Sequence, residues 1–290
     1  MSNLLRSAKS GGDWTANDLL AYNIIVSAQT SEEFYGRPLP PITSLDPNLL
    51  FGTLSTPGLS DETYRFLQHL DLVSRPNLDQ ESAIHDFTRQ MLRALGYEKR
   101  GLLRSRYAVP LLVCGDSNRS EQIDICLVQG SCTILLVVQE DKDLLNPEAQ
   151  IIAEAIATFQ YNNHIRVRSG ESELDSMTIP CISMIGTLPT FYLVPVTRNL
   201  SDAVAASQHP LSPTVVQKCV VTSNSLGLSE GMKNRDFRQV ALQHYAAFRT
   251  LAEAHWSAFM LPVKMETSGP VKSDRQSDVA GIIRTVTLVG

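Results

Sequence analysis

Asp124, Glu140 and Lys142 are the residues of this chain whose types and spacing could do chemistry. They lie in the stretch QIDICLVQGSCTILLVVQEDK, residues 122–142, where two β-branched apolar runs (123–128 and 133–138) flank a turn containing Gly130. The second run stops abruptly at Glu140, Asp141 and Lys142. Apolar runs of this length bounded by turn residues predict strands buried on both faces. Side chains two apart on a strand share a face, so Glu140 and Lys142 point one way and Asp141 the other. Antiparallel pairing centred near Cys132 would set Asp124 opposite Glu140 on one face, and a slip of one residue would separate them. Two carboxylates beside a lysine suit one hydrated Mg2+ (or Mn2+), an ion that takes one or two carboxylates and keeps waters and phosphate oxygens. The amine could orient or help deprotonate an attacking water and offset charge developing on phosphate. That is the minimum equipment for cutting a phosphodiester.

Such groups need rigid elements to hold them. Ile84, Phe87, Met91, Leu92 and Leu95 recur at helical spacing, which predicts a helix over 79–96 with Asp79 as N-cap and Gly96 as its stop. Glu81 falls in its first turn, where a carboxylate is favoured by the helix dipole. A basic stretch follows, with Arg89, Arg93, Lys99, Arg100, Arg104 and Arg106 against few acids. Lys99, Arg100, Arg104 and Arg106 could grip phosphates without reading sequence, the plainer account being a solvated face. Residues 107–114 read as a strand that leads through a GDSNRSEQ loop into the 122–142 hairpin. Beyond it, Asn146 as N-cap and Pro147 at the first helical position predict a helix. Its apolar stripe is Ile151, Ile152, Ala155, Ile156 and Phe159, with Gln150 and Glu154 on another face.

Strands over 179–185 and 191–196 come next, so the order predicts a mixed α/β layer with helices on either side of a sheet. Upstream, a short helix is expected over 19–28 and another over 61–72, separated by the irregular, proline-rich GRPLPPITSLDPN. Downstream, 215–221 reads as a strand, 234–259 as a long amphipathic helix, and GIIRTVTLV near the end as a possible added strand. The expected organisation is an appendage over 1–78, a core over 79–200, an extension with the long helix over 201–262 and a tail over 263–290.

The chain of 290 residues is long enough for a sizeable core, and 43% hydrophobic with 19% charged residues reads as globular. A formal net charge of -5 gives no global attraction to nucleic acid, so any polyanion site must be a local patch. The start, MSNLLRSAKSGGDW, lacks the apolar region of a signal peptide, and no run approaches the length of a membrane span. Five cysteines without a C-x-x-C pair read as free, buried thiols in a reducing compartment, hence an intracellular protein, cytoplasmic or nuclear.

Glu81 on a helix, Asp124 on a strand, Glu140-Asp141-Lys142 ending the next strand and Gln150 on the following helix together resemble the PD-(D/E)XK nuclease superfamily, over roughly residues 81–196. The run ESAIHDFTRQMLRALGY is similar to the first helix of restriction-enzyme-type members, while Ile123 stands where the name-giving proline would be. The resemblance implies a restriction-endonuclease-like α/β core and a metal-dependent hydrolase of phosphodiesters, DNA ahead of RNA. It also implies roles: Asp124 and Glu140 as metal ligands, Glu81 completing the acidic cluster, Lys142 assisting the nucleophilic water and Gln150 as an auxiliary polar group facing the site. The runs VVQEDK, PEAQIIAEAIATFQYNN and GTLPTFYLVPVT are further similar to a family of uncharacterised mushroom-type fungal proteins. Members of this fold that only bind or scaffold give the alternative, an interaction protein without turnover.

Other chemistries find little footing. Gly227-Leu228-Ser229-Glu230-Gly231 matches a nucleophile elbow, but only His244 and His255 follow it, both within one long helix. The six histidines are scattered without H-E-x-x-H, and no phosphate-binding glycine loop occurs.

Overall fold

The computed structural model of the chain describes residues 6–41, 43, 45–75, 81–130, 133–141, 147–222 and 228–259, with the backbone alone for Glu81, Arg100, Asp141 and 228–230. Asp79, Cys132, Lys142, Asn146, Gly227 and the expected strand near the end lie outside the described residues. The chain first forms α1 (Ala16–Ala21), β1 (Ile24–Ala28), α2 (Ser31–Tyr35), α3 (Pro47–Phe51), α4 (Asp61–Val73) and α5 (Glu81–Ala94). A long hairpin, β2 (Leu102–Val113) and β3 (Asp116–Gln129), leads to β4 (Thr133–Asp141), α6 (Pro147–Arg168), β5 (Ser176–Ile185) and β6 (Leu188–Thr197). Then come α7 (Arg198–Ala205), β7 (Thr214–Val220) and α8 (Arg235–Trp256).

Among the described residues these strands make one seven-stranded mixed sheet in the order β1-β7-β6-β5-β4-β3-β2. β4 and β5 run parallel, joined by α6 as the crossover that parallel neighbours require. β1 and β7 are also parallel, and the remaining neighbours are antiparallel. The molecule is therefore α/β, an open mixed sheet flanked by helices. The described residues belong to one compact unit spanning Met1–Met260.

Faces follow from alternation along β4 and β5. Gln139 meets Gln150 and Glu154 of α6, whereas its neighbour Glu140 meets His85 of α5 and Met184 of β5 meets Tyr245 of α8. Helix α6 thus covers one face and α5 with α8 the other. The centre of the sheet is sandwiched, and Ile134, Leu136, Val137 and Val138 are fully buried. At the start of β4, Asn162 of α6 satisfies both backbone groups of Ile134, accepting its N–H and donating to its carbonyl at 2.8 Å each. A buried backbone pair left without partners would be costly, which explains an asparagine inside an otherwise apolar helix face.

Several expectations are corrected. Residues 19–28 are the end of α1 followed by strand β1, because the β-branched IIV after Asn23 pairs with β7. The residues expected as a GDSNRSEQ loop are the outer half of β3. The turn is the two residues Cys114 and Gly115, both at positive φ (51° and 76°), the geometry that matches strand twist in a tight hairpin. The thiols of Cys126, Cys181 and Cys219 are free and buried. No helix among the described residues is long and apolar enough to cross a membrane.

Candidate functional site

The hairpin of β3 and β4 is shifted from the expected register. Ile125 pairs with Val138, and a further irregularity after Leu127 brings Val128 opposite Ile134, so the centre lies ahead of Cys132. By register alone Asp124 would face Gln139 rather than Glu140. Pairing stops at Ile125, however, and beyond it the Asp124 carboxylate enters the seam between the strands, where its Oδ2 accepts the Glu140 backbone N–H at 2.9 Å. A side chain has taken over a ladder hydrogen bond, and it holds Asp124 against the end of β4.

A local distortion of β2 accompanies this. Arg106, in register across from Asp124, has φ of 49°, a left-handed conformation that costs a residue with a Cβ about 1–2 kcal/mol. On either side of it, Ser105 contacts His85 of α5 and Tyr107 bonds Tyr161 of α6 at 2.7 Å. Two residues of equal parity along one strand therefore meet helices on opposite faces, and Asp124 sits at the changeover.

Glu140 turns its side chain, 8% exposed, toward α5. Its Oε2 lies 3.4 Å from His85 Nδ1, whose ring presents Nε2 to Ser105 Oγ at 2.9 Å. Its Oε1 is buried with no hydrogen bond among the described residues. Burial pushes the Glu140 carboxyl above the usual carboxylate range, with the Asp124 charge adding and His85 opposing. The bond to Glu140 raises His85 in turn, against the effect of its own burial. A proton on His85 is therefore held to higher pH than on a free imidazole.

Of the other expected site residues, Glu81 is the first residue of α5, one turn before His85, and Lys142 lies outside the described residues. Gln150 is corrected. It donates to Glu154 Oε1 at 3.1 Å and bonds Gln139 on the α6 face, because adjacent residues of β4 point to opposite sides. It does not share a face with Glu140. Lys99, Arg104 and Arg106 are exposed, and Arg104 stacks on Tyr107 with 5.3 Å to the ring centroid. Lys99 and Arg104 line a hollow of about 400 Å³ that runs from Glu98 to Gly130. Leu102 stands level with Ile134, six residues before Glu140, so the far end of the basic run is about 20 Å from the carboxylates. Of Lys99, Arg104 and Arg106, the last stands level with Asp124.

His85, which meets Glu140, and Ser105, which meets His85, were both passed over by sequence reasoning. The available signal was that His85 lies at i+4 from Glu81, hence on the same helix face. Among the described residues no three His, Cys, Asp or Glu side chains close on a single point as a ligand set. The two described carboxylates, one with an unbonded buried oxygen, are donors of the hard, anionic type that Mg2+ takes, and they fit such an ion as a partial set. Comparison of the sequence with protein-family models and with curated proteins finds no match.

Proposed function

We propose that this chain is a metal-dependent nuclease with a restriction-endonuclease-like core, hydrolysing phosphodiester bonds, with DNA rather than RNA as the substrate. One observation carries the reading: Asp124 is anchored on the N–H of Glu140 at the end of a buried strand, beside a Glu140 oxygen that makes no hydrogen bond among the described residues. The succession of helix α5, antiparallel strands β3 and β4, crossover α6 and parallel strand β5 supports it, being the order that the resembling superfamily uses.

In this reading Asp124 and Glu140, joined by Glu81, hold Mg2+ or Mn2+. When bound, the ion supplies a Lewis acid that offsets charge on the scissile phosphate and lowers the pKa of water. Lys142 orients the attacking water. Arg106 and Arg104 hold the backbone, with Lys99 and Arg100 extending the contact along the edge strand, and Gln150 acts from the opposite face by fixing Gln139 in β4.

A second reading is a binding protein of the same fold without turnover. It is favoured by the partners the carboxylates already have: Glu140 leans on His85 and Asp124 on a backbone N–H. Incubation of purified protein with single- and double-stranded DNA and RNA, in Mg2+, Mn2+ or EDTA, separates the two. Cleavage is expected with either metal, absent in EDTA and lost in Asp124→Ala and Lys142→Ala variants that melt like the parent. Full activity in either variant refutes the mechanism, and no cleavage of any substrate leaves the binding reading.

A further inference from the structure

A second concentration of charge lies away from these carboxylates, where the 52–55 segment after α3, helix α4 and the first turn of α8 enclose a cleft of about 340 Å³. Its walls carry Thr53, Ser55, Asp71, Lys233, Arg235 and Arg238. Arg238 forms the recessed part, for the residue is only 3% exposed. Its Nε donates to the Leu50 carbonyl at 2.8 Å and its Nη2 to the Gly52 carbonyl at 2.9 Å. No carboxylate pairs with it among the described residues, and its Nη1 makes no hydrogen bond there.

Carbonyl dipoles bond a guanidinium without neutralising it, and a buried charge without a counter-ion is normally rare. Here the imbalance is compounded. Lys233 and Arg235 are exposed at the rim, and burial, with Arg235 adding, pushes Arg238 down to about 10. The one acid on the wall among the described residues, Asp71, is engaged in an ion pair with Arg75. The N-terminal N–H groups of α8 are not the attraction, since Asn234 Oδ1 already caps those of Asp236 and Phe237 at 3.0 and 3.1 Å. Three cationic side chains with one unused donor at the floor, in a chain whose overall charge is -5, describe a place shaped for an anion.

We propose that this cleft binds the phosphomonoester or diphosphate end of a small molecule, with Arg238 as the fixed floor and Lys233 and Arg235 closing on it. A dianion matches the charge better than a carboxylate does, and guanidinium forks fit phosphate oxygens. The hydroxyls of Thr53 and Ser55, bonded to each other at 3.0 Å, stand on the wall and leave one hydroxyl proton free of that bond. A recessed floor in a small cleft admits a terminal group; the internal phosphodiester of a duplex carries one charge and two bulky neighbours. The inference is independent of the nuclease reading, because none of its residues is among the proposed metal ligands.

The test titrates the full chain with inorganic phosphate and with pyrophosphate by calorimetry, against chloride at matched ionic strength. Saturable binding of one equivalent is expected, and the double variant Lys233→Gln, Arg235→Gln should bind at least about tenfold more weakly, the factor expected when charge-assisted bonds are lost. Both replaced side chains are exposed, so its melting temperature in chloride should match the parent; Arg238→Gln, which also loses two carbonyl bonds, is a second variant expected to abolish binding. Asp124→Ala should bind phosphate unchanged, which separates this cleft from the carboxylate site. No saturable binding by the parent, or equal affinity in the double variant, overturns the proposal. So does displacement of phosphate by duplex DNA lacking terminal phosphates, which would assign the cleft to a nucleic-acid backbone.

Discussion

One oxygen of Glu140 faces His85 and the other makes no hydrogen bond among the described residues, so the cost of burying this carboxylate depends on what occupies its surroundings. A cation held with Asp124 would relieve it, and Mg2+ should then raise the melting temperature of the parent protein and leave Glu140→Gln unmoved. Differential scanning calorimetry in Mg2+ and in EDTA checks this without an activity assay. The pH response has a definite sign. Both folded-state pKa values lie above their ordinary values, so the stability they contribute is complete below the ordinary carboxylate pKa and is lost as pH rises through the folded values. Glu140→Gln should consequently gain on the parent in denaturant midpoint at about pH 8 and match it at about pH 4, where the parent carboxyl is itself protonated. A gain that is the same at both pH values would show that charge is not what burdens this position.

At the scale of elements, the departure at Arg106 separates stability from binding. Glycine tolerates positive φ, so Arg106→Gly should be neutral to stabilising by up to about 1 kcal/mol in urea unfolding. The same change removes the basic side chain in register with Asp124 and should weaken DNA binding while lowering its salt slope by about one. A variant both less stable and unchanged in salt slope would contradict each half of the argument. The elements themselves were largely legible. Helix α5 announced itself through Phe87, Met91, Leu92 and Leu95, and Gly96 ends it at φ of 77° as expected. Pro147 marks the start of α6, and the apolar runs after Gln122 and Cys132 are strands. What could not be read is whatever depends on distant partners. The irregularity after Leu127 moved the hairpin register, the β1 strand is defined by β7 far along the chain, and His85 gains its meaning from a carboxylate on another element. Periodicity reports which face is apolar, not which residue stands opposite.

For the molecule as a whole, His244 ties remote segments together. It is 3% exposed, with its Nδ1 3.1 Å from the hydroxyl of Tyr35 on α2 and its ring stacked on Phe191 of β6. Burial pushes it down to about 4, so the folded state stays unprotonated over a range in which the unfolded chain takes up a proton. The depressed value means stability is full above the ordinary histidine pKa of 6.5 and declines as pH falls toward about 4, by roughly 3 kcal/mol in total. His244→Phe should flatten that part of the stability profile measured by urea unfolding, whatever it does to stability at neutral pH; an unchanged acid slope would remove His244 as the cause.

The parallel pairing of β1 with β7 sets Ile24 beside Thr214, 190 residues later. A chain leaving the ribosome at about 5–20 residues per second therefore carries its first strand for some 10–40 s before the neighbour exists. During that interval Ile24, which is buried in the finished protein, lacks the strand it pairs with. The sheet's β1 edge can therefore close only after Val220, the end of β7, has emerged.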